Sequence, residues 1–208
     1  MHIRQARPED LPAIAALEAR GFPPAEAASP ESFAARFAVF PHCFFVAEDD
    51  GAIVGHINGC MTDFDTCRDE LYHDAGLHRE EAPHQAVFGL VVDPQRQHQG
   101  IGAALVRHFL EVARQRGKED VVLTCKERLV DFYARLGFVD EGLSKSTHGN
   151  VVWHQMRLAL THAVGTGNPT ANGSAKTPPP YSPARKTLRA ERILLTVGDS
   201  IVTLRNTQ

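Results

Sequence analysis

An α/β fold is predicted for this chain: a mixed, mostly antiparallel central sheet flanked by helices on both faces. Two observations carry that expectation. Across residues 2–160, apolar runs of strand character alternate with segments whose apolar residues keep helical spacing. Within them, Leu90-Val91-Val92 reads as a buried strand, and Asp93-Pro94-Gln95-Arg96-Gln97-His98-Gln99-Gly100 as a turn dense in donors. Ile101-Gly102-Ala103 then reads as the first turn of an amphipathic helix. The length of 208 residues and a hydrophobic content of 43% allow one ordinary domain with a real core, plus an appendage.

Residues 2–6 read as a short strand. Arg7-Pro8-Glu9-Asp10 then opens a helix with Leu11, Ile14 and Leu17 on one face, ended by Gly21. Ser29-Pro30-Glu31 marks a second helix start, a capping serine followed by proline at the first helical position, and Phe33, Phe37 and Phe40 form its buried stripe. Strands at 43–48 and 53–60 flank Asp49-Asp50-Gly51, a hairpin signal. A polar loop, roughly 63–83, precedes the apolar run 87–92. The helix after Gly102 buries Leu105, Phe109 and Val112 and stops at Gly117. A strand at 121–124 follows. A short helix carrying Leu129, Phe132, Tyr133 and Leu136 is closed by Gly137, and strands around 138–141 and 151–158 complete the pattern.

Residues 1–162 are thus expected to be the folded domain. Residues 163–190 read as a Pro/Gly/Ser-rich linker containing Pro178-Pro179-Pro180. In 191–208, two β-rich runs flank Gly198-Asp199, giving a C-terminal hairpin or a flexible tail. A lone hairpin is not stable, so it is expected on a sheet edge of this molecule or of a partner chain, as in a homodimer.

Composition narrows the function. A net charge of −3 argues against nucleic acid as a partner. No run approaches the roughly 18 apolar residues of a membrane span, and the first residues lack the apolar stretch of a signal peptide. Cys43, Cys60, Cys67 and Cys125 show no C-x-x-C spacing, so neither zinc nor a disulfide framework is indicated and a cytoplasmic setting is expected. The 11 histidines include no H-x-x-x-H pair, and no metal is expected.

The strand-turn-helix supplies a row of backbone N–H groups at a helix N-terminus, where free donors and the positive dipole end favour phosphate. Gly100 and Gly102 let a pyrophosphate approach without meeting a Cβ atom. The turn lacks the Gly-Lys-Ser/Thr ending of a P-loop and the third glycine of a dinucleotide fingerprint. Gln97, Gly100 and Gly102 fill the pattern Gln/Arg-x-x-Gly-x-Gly. This resembles the acetyl-CoA-binding motif of the GCN5-related N-acetyltransferases (the GNAT superfamily), most of which carry arginine where this chain has Gln97.

The resemblance spans about residues 2–160, whose element order is that of the GNAT fold. It implies acetyl-CoA as co-substrate, held by Gln97, His98, Gln99, Gly100, Ile101, Gly102 and Ala103. It also implies that Leu90, Val91 and Val92 lie on a bulged strand offering backbone N–H groups to the thioester and pantetheine arm. Phe132-Tyr133-Ala134-Arg135-Leu136-Gly137-Phe138 resembles the family's F-Y-x-x-x-G-F segment, in which the tyrosine faces the coenzyme sulfur and the cofactor. Tyr133 is then the acid for the departing thiolate. A phenol near pKa 10 protonating a thiolate near 8.5 is uphill by about 2 kcal/mol, a small deficit for a positioned acid.

Four segments are similar to the arylalkylamine (serotonin) N-acetyltransferase-like branch and its polyamine-acetylating relatives. They are residues 17–23, 28–31, Thr124-Cys125-Lys126-Glu127 and the Tyr133 segment. Vertebrate members place two histidines on the coenzyme strand, where this chain has Ala86 and Phe88. The base is left among Glu26, whose place resembles an acidic residue of non-vertebrate members, His84, His148 and a water chain.

The loop from 63 to 81 holds Asp63, Asp65, Asp69, Glu70, Asp74, Glu80 and Glu81 against Arg68 and Arg79. It reads either as a solvated face or as a negative rim drawing in a cationic amine. The expectation is a direct acetyl transfer to a small primary amine, an arylalkylamine or polyamine, with Cys125 structural rather than acylated. Other acceptors (a protein N-terminus, lysine or aminoglycoside) and a non-catalytic coenzyme-binding module are the alternatives.

Overall fold

The computed structural model describes residues 1–160. The expected linker at 163–190 and hairpin at 191–208 lie outside the described residues. Seven strands form one sheet in the order β1-β2-β3-β4-β5-β7-β6. They are β1 (His2–Gln5), β2 (Phe44–Asp49), β3 (Ala52–Thr62), β4 (His84–Val92), β5 (Asp120–Cys125), β6 (Val139–Leu143) and β7 (His154–Ala159). Only β4 and β5 run parallel; every other pairing is antiparallel. Five helices accompany the sheet: α1 (Leu11–Gly21), α2 (Pro30–Val39), α3 (Glu70–His73), α4 (Ile101–Gln115) and α5 (Val130–Ala134).

Alternation along β2 shows why helices cover both faces. Phe45 and Ala47 belong to one buried cluster with Leu105 and Phe109 of α4 and Tyr133 of α5. Phe44 and Val46, one residue out of phase, belong to the other, with Ile14 of α1 and Phe33 of α2.

The local signals act through identifiable contacts. The Ser29 side chain accepts from the Ser32 N–H at 3.2 Å, capping α2, and Pro30 fills its first position. Asp50 and Gly51 have φ of 50° and 79°, the paired left-handed turn that matches hairpin twist. Past α4, Gly117 takes φ 68° and donates to the Arg114 carbonyl, ending the helix as expected. Gly21, by contrast, is the last residue of α1, and Phe22 is its C-cap.

The polar loop at 63–83 is more ordered than its composition implies. It contains α3 and a 3-10 turn at Ala75–Leu77, and Cys67, Leu71 and Ala82 are buried in the second cluster. A four-residue helix is too short to show a 3.6-residue period in sequence.

Two irregularities open the sheet where function is expected. The β4–β5 ladder consists of His84↔Asp120, Gln85↔Val121 and Ala86↔Val122, and pairing stops there. In the β3–β4 ladder, Asn58 faces Gly89 and Gly59 faces Val87, which leaves Phe88 as a bulge. Gly59 makes this possible, since a Cβ there would sit 1.8 Å from the Ala86 carbonyl oxygen.

Candidate active site

Where β4 and β5 part, a cavity of about 620 Å³ opens, lined by Val87–Val92 from one side and Leu123–Lys126 from the other. The turn before α4 forms one end. Asp93 accepts from the Gln95 N–H at 3.0 Å and pairs with Arg20 at 2.9 Å, which fixes the exit from β4. His98 and Gly100 then adopt φ of 62° and 83°. Nothing lies within 4 Å of where a Cβ on Gly100 would be, so the cradle is open. The first intrahelical bond of α4 runs from the Ala104 N–H to the Gly100 carbonyl. The N–H groups of Ile101, Gly102 and Ala103 are therefore the free donors of the helix start. An open cradle, free N–H groups and a dipole end fit the pyrophosphate of a coenzyme A thioester.

Gln97, His98, Gly100, Ile101, Gly102 and Ala103 all line the cavity, as do Leu90, Val91 and Val92. Gln99 does not; it accepts from Arg96 Nε at 3.2 Å. Arg96 itself is committed to Asp49 at 2.5 Å. The Gln97 amide leans back toward the Val92 carbonyl at 3.5 Å.

Tyr133 reaches the cavity from α5. Burial, helped by the nearby Cys125 sulfur, raises its pKa well above the ordinary phenol value. It carries its proton at neutral pH, as an acid must, while the raised pKa widens the uphill gap to the thiolate beyond that of an ordinary phenol. Cys125 is 2% exposed, and burial pushes its thiol up to about 12. A thiol so reluctant to ionise is a poor acyl acceptor.

The three candidate bases separate. Glu26 and His148 line the cavity. Glu26 Oε1 is paired with Lys126 Nζ at 2.7 Å, and a His148 ring nitrogen lies 3.0 Å from the Glu26 carbonyl. Trp153 Nε1 donates to the His148 carbonyl at 2.8 Å, and the His148 ring lies 5.1 Å from that of Tyr72. His84 stands instead at the start of β4, bonded to Asp120 at 2.8 Å. Six residues separate it from Leu90, about 20 Å along a strand. The structure does not bring it to the cavity.

Several acidic residues of the 63–81 loop are engaged locally. Asp69 accepts from Ser146 Oγ and from the Thr147 N–H, tying down the segment that presents His148. Asp74 caps the Gly76 N–H at 2.8 Å. Glu80 lies 2.9 Å from His42 Nε2 and 3.2 Å from His78 Nε2, a grouping with metal-ligand spacing. There, however, His78 Nδ1 accepts the Met61 N–H at 3.2 Å. The ring proton is then on Nε2 facing Glu80, so His78 and Glu80 are joined by a hydrogen bond, whereas His42 Nε2 makes none.

Glu18, Arg36, Asn58, Tyr72, Lys126 and Trp153 also line the cavity and went unread as site residues in the sequence. Two of them left a signal. Glu18 follows Ile14 by four residues on the buried face of α1, and Asn58 interrupts the apolar run of β3.

Fold and site together define a class: an α/β protein whose sheet splays beside a phosphate-binding helix N-terminus. The model of the acetyltransferase (GNAT) family matches residues 9–138, more than half of the chain, and the chain belongs to that family. It is 31% identical over 125 residues to N-acetyltransferase 8 of Homo sapiens, a match covering 59% of this chain and 47% of that one. It is 30% identical over 109 residues to a probable glucosamine 6-phosphate N-acetyltransferase 2 of Oryza sativa subsp. japonica, covering 51% and 60%. The chain thus spans about half the length of the curated relatives it matches. Among solved structures, a GphF GNAT-like decarboxylase in complex with isobutyryl-CoA superposes with a TM-score of 0.67 at 26% identity, covering 76% of this chain and 99% of that one. No helix among the described residues is long and apolar enough to cross a membrane.

Proposed function

We propose that this protein is an acetyl-CoA-dependent N-acetyltransferase that passes the acetyl group directly to a small primary amine, an arylalkylamine or a polyamine. One observation carries the reading: a single cavity joins the α4 phosphate cradle, the bulged strand β4 and Tyr133 to an aromatic, acid-bearing wall. Bound acetyl-CoA supplies an activated thioester. The free N–H groups at Ile101, Gly102 and Ala103 hold its phosphates, with Gln97, His98 and Gln99 in the flanking turn. The backbone of Leu90, Val91 and Val92, released from the β4–β5 ladder, holds the arm.

Tyr133 keeps a proton for the departing sulfur, and no acyl-enzyme on Cys125 is needed. Tyr72, Phe88 and Trp153 give the acceptor an apolar wall. Glu26 and His148 are the bases foreseen in the sequence that stand at this cavity. The four free, buried cysteines suit a reducing cytoplasm.

The test is free-thiol release from acetyl-CoA with tryptamine, phenethylamine, spermidine and a short peptide as acceptors. Release with an amine and not with the peptide is expected. Release with the peptide alone would move the acceptor to a protein N-terminus. Coenzyme binding with silence across the panel would make this a non-catalytic module.

A further inference from the structure

On the α1 side of the cavity, two polar side chains are buried and short of partners. Glu18 is 4% exposed and Asn58 is 1% exposed. Glu18 Oε1 accepts from the Ala28 N–H at 3.1 Å, but its Oε2 has no hydrogen bond, nor has either end of the Asn58 amide. Each such atom destabilises the fold when left unpaired, more so where it is charged. A native fold that keeps them calls for a complement.

Their direction indicates what the complement is. A Cβ on Gly89, the residue after the bulge, would lie 3.4 Å from Asn58 Nδ2 and 3.6 Å from Glu18 Oε2. Glycine there lets the carboxylate and the amide lie directly against the stretch of β4 that faces the cavity, buried from solvent in the unliganded protein. His56 Nε2 is 3.3 Å from Glu18 Oε2, yet neither His56 ring nitrogen makes a hydrogen bond. Arg36 donates to the Tyr72 carbonyl at 2.9 Å and stacks on the Phe88 ring at 4.9 Å. The field of Glu18 favours its charged form, opposing a burial that lowers its pKa. Glu26, in contrast, already has Lys126 as its cation.

We propose that Glu18 and Asn58 form the acceptor subsite, that its ligand is a primary ammonium, and that Glu18 Oε2 takes the first proton from that nitrogen. This rests on the N-acetyltransferase reading of the same cavity. An ammonium has three donors and no lone pair. One goes to Glu18 Oε2 and a second to the Asn58 oxygen once the amide turns its Nδ2, the end nearer Gly89, away, which aims the nitrogen along β4. Transfer forms a C–N bond and breaks the C–S bond. Glu18 keeps the first ammonium proton for later release to water. The Tyr133 proton goes to the sulfur, and the second nitrogen proton restores the phenol. The sum is one acetylated amine, one free thiol and one proton.

The test pairs binding with turnover. Methylammonium, phenethylammonium and spermidine are titrated calorimetrically into the full chain saturated with CoA, and thiol release is followed from pH 6 to 10. Glu18→Gln should keep its acetyl-CoA affinity, weaken amine binding about tenfold or more, and lower kcat/KM about 100-fold. Glu18→Asp should recover part of the lost kcat/KM. Should Glu18→Gln not bind coenzyme, Asn58→Ala carries the test, with amine binding weakened about fivefold.

Amine affinity and kcat/KM both unchanged in the variant would overturn the proposal, as would a wild type that binds none of the three amines. A wild type that binds an amine through Glu18 but releases no thiol would support the subsite and contradict the enzyme reading instead.

Discussion

In the proposed reaction, Tyr133 is the residue on which the chemistry turns. It is 6% exposed and lies against Phe132 and Phe138, so packing alone could explain its burial. Its place on the cavity wall distinguishes an acid from a core aromatic. Tyr133→Phe should slow thiol release about 100-fold while acetyl-CoA affinity, read by calorimetry, stays within about twofold. An unchanged rate would remove it from the mechanism. Because burial raises its pKa, the phenol stays protonated above its ordinary value near 10. Loss of the Tyr133 proton should therefore produce no alkaline fall in rate below about pH 10. The F-Y-x-x-x-G-F segment pointed to Tyr133, which the structure places on the cavity wall. That Glu18 and Asn58 line the same cavity was not legible, because a charge or amide in an apolar stripe shows its setting only when the facing strand is known to bulge.

At the scale of elements, the cavity exists because two ladders fail at defined places. Gly59→Ala should push β3 off the β4 bulge, costing about 1–3 kcal/mol by overpacking and weakening acetyl-CoA binding. Normal stability with normal affinity would show that the bulge is dispensable. The strand and helix positions were readable from period and capping signals, since Ser29-Pro30 and Asp50-Gly51 each dictate a local conformation. The splay was not readable: where the β4–β5 ladder ends, after Ala86↔Val122, is set by long-range pairing that no local pattern shows.

The other end of the sheet is pinned by Asp10, which takes Arg4 Nη1 at 2.7 Å and the Arg7 N–H at 2.7 Å, joining β1 to the start of α1. The Arg4 guanidinium holds the Asp10 carboxyl below its ordinary value. Folding stability from this group is therefore present above the unfolded pKa near 3.9 and is lost as pH falls through the lower folded value. Urea midpoints measured from pH 7 to pH 3 should fall more steeply at the acid end for the wild type than for Asp10→Asn. Equal slopes would show that the pair contributes nothing.

For the whole molecule, two buried clusters on opposite faces of one sheet leave the splay as the place where the interior is open. A ligand that fills it should stabilise the fold as a unit. Acetyl-CoA at 100 times its dissociation constant contributes about 2.7 kcal/mol, or about 5–10 °C in Tm for a domain of this size. A scan showing no shift would deny the cradle its ligand. The continuous apolar run Phe44-Phe45-Val46-Ala47 fits a strand buried on both faces, and the structure divides it between the two clusters. The match of family and fold extends that legibility to the coenzyme, whereas the acceptor depends on side chains from α1, α2, β3 and the 146–153 segment that no single stretch of sequence unites.

The central claim is direct transfer of an acetyl group from acetyl-CoA to an amine held beside it. Initial rates with both substrates varied, and the acetylated amine weighed against free thiol, test it most directly. Intersecting double-reciprocal lines and one acetylated amine per thiol released are expected, with Cys125→Ser still active. Parallel lines, a dead Cys125→Ser variant that still binds acetyl-CoA, or thiol released without acetylated amine would contradict it.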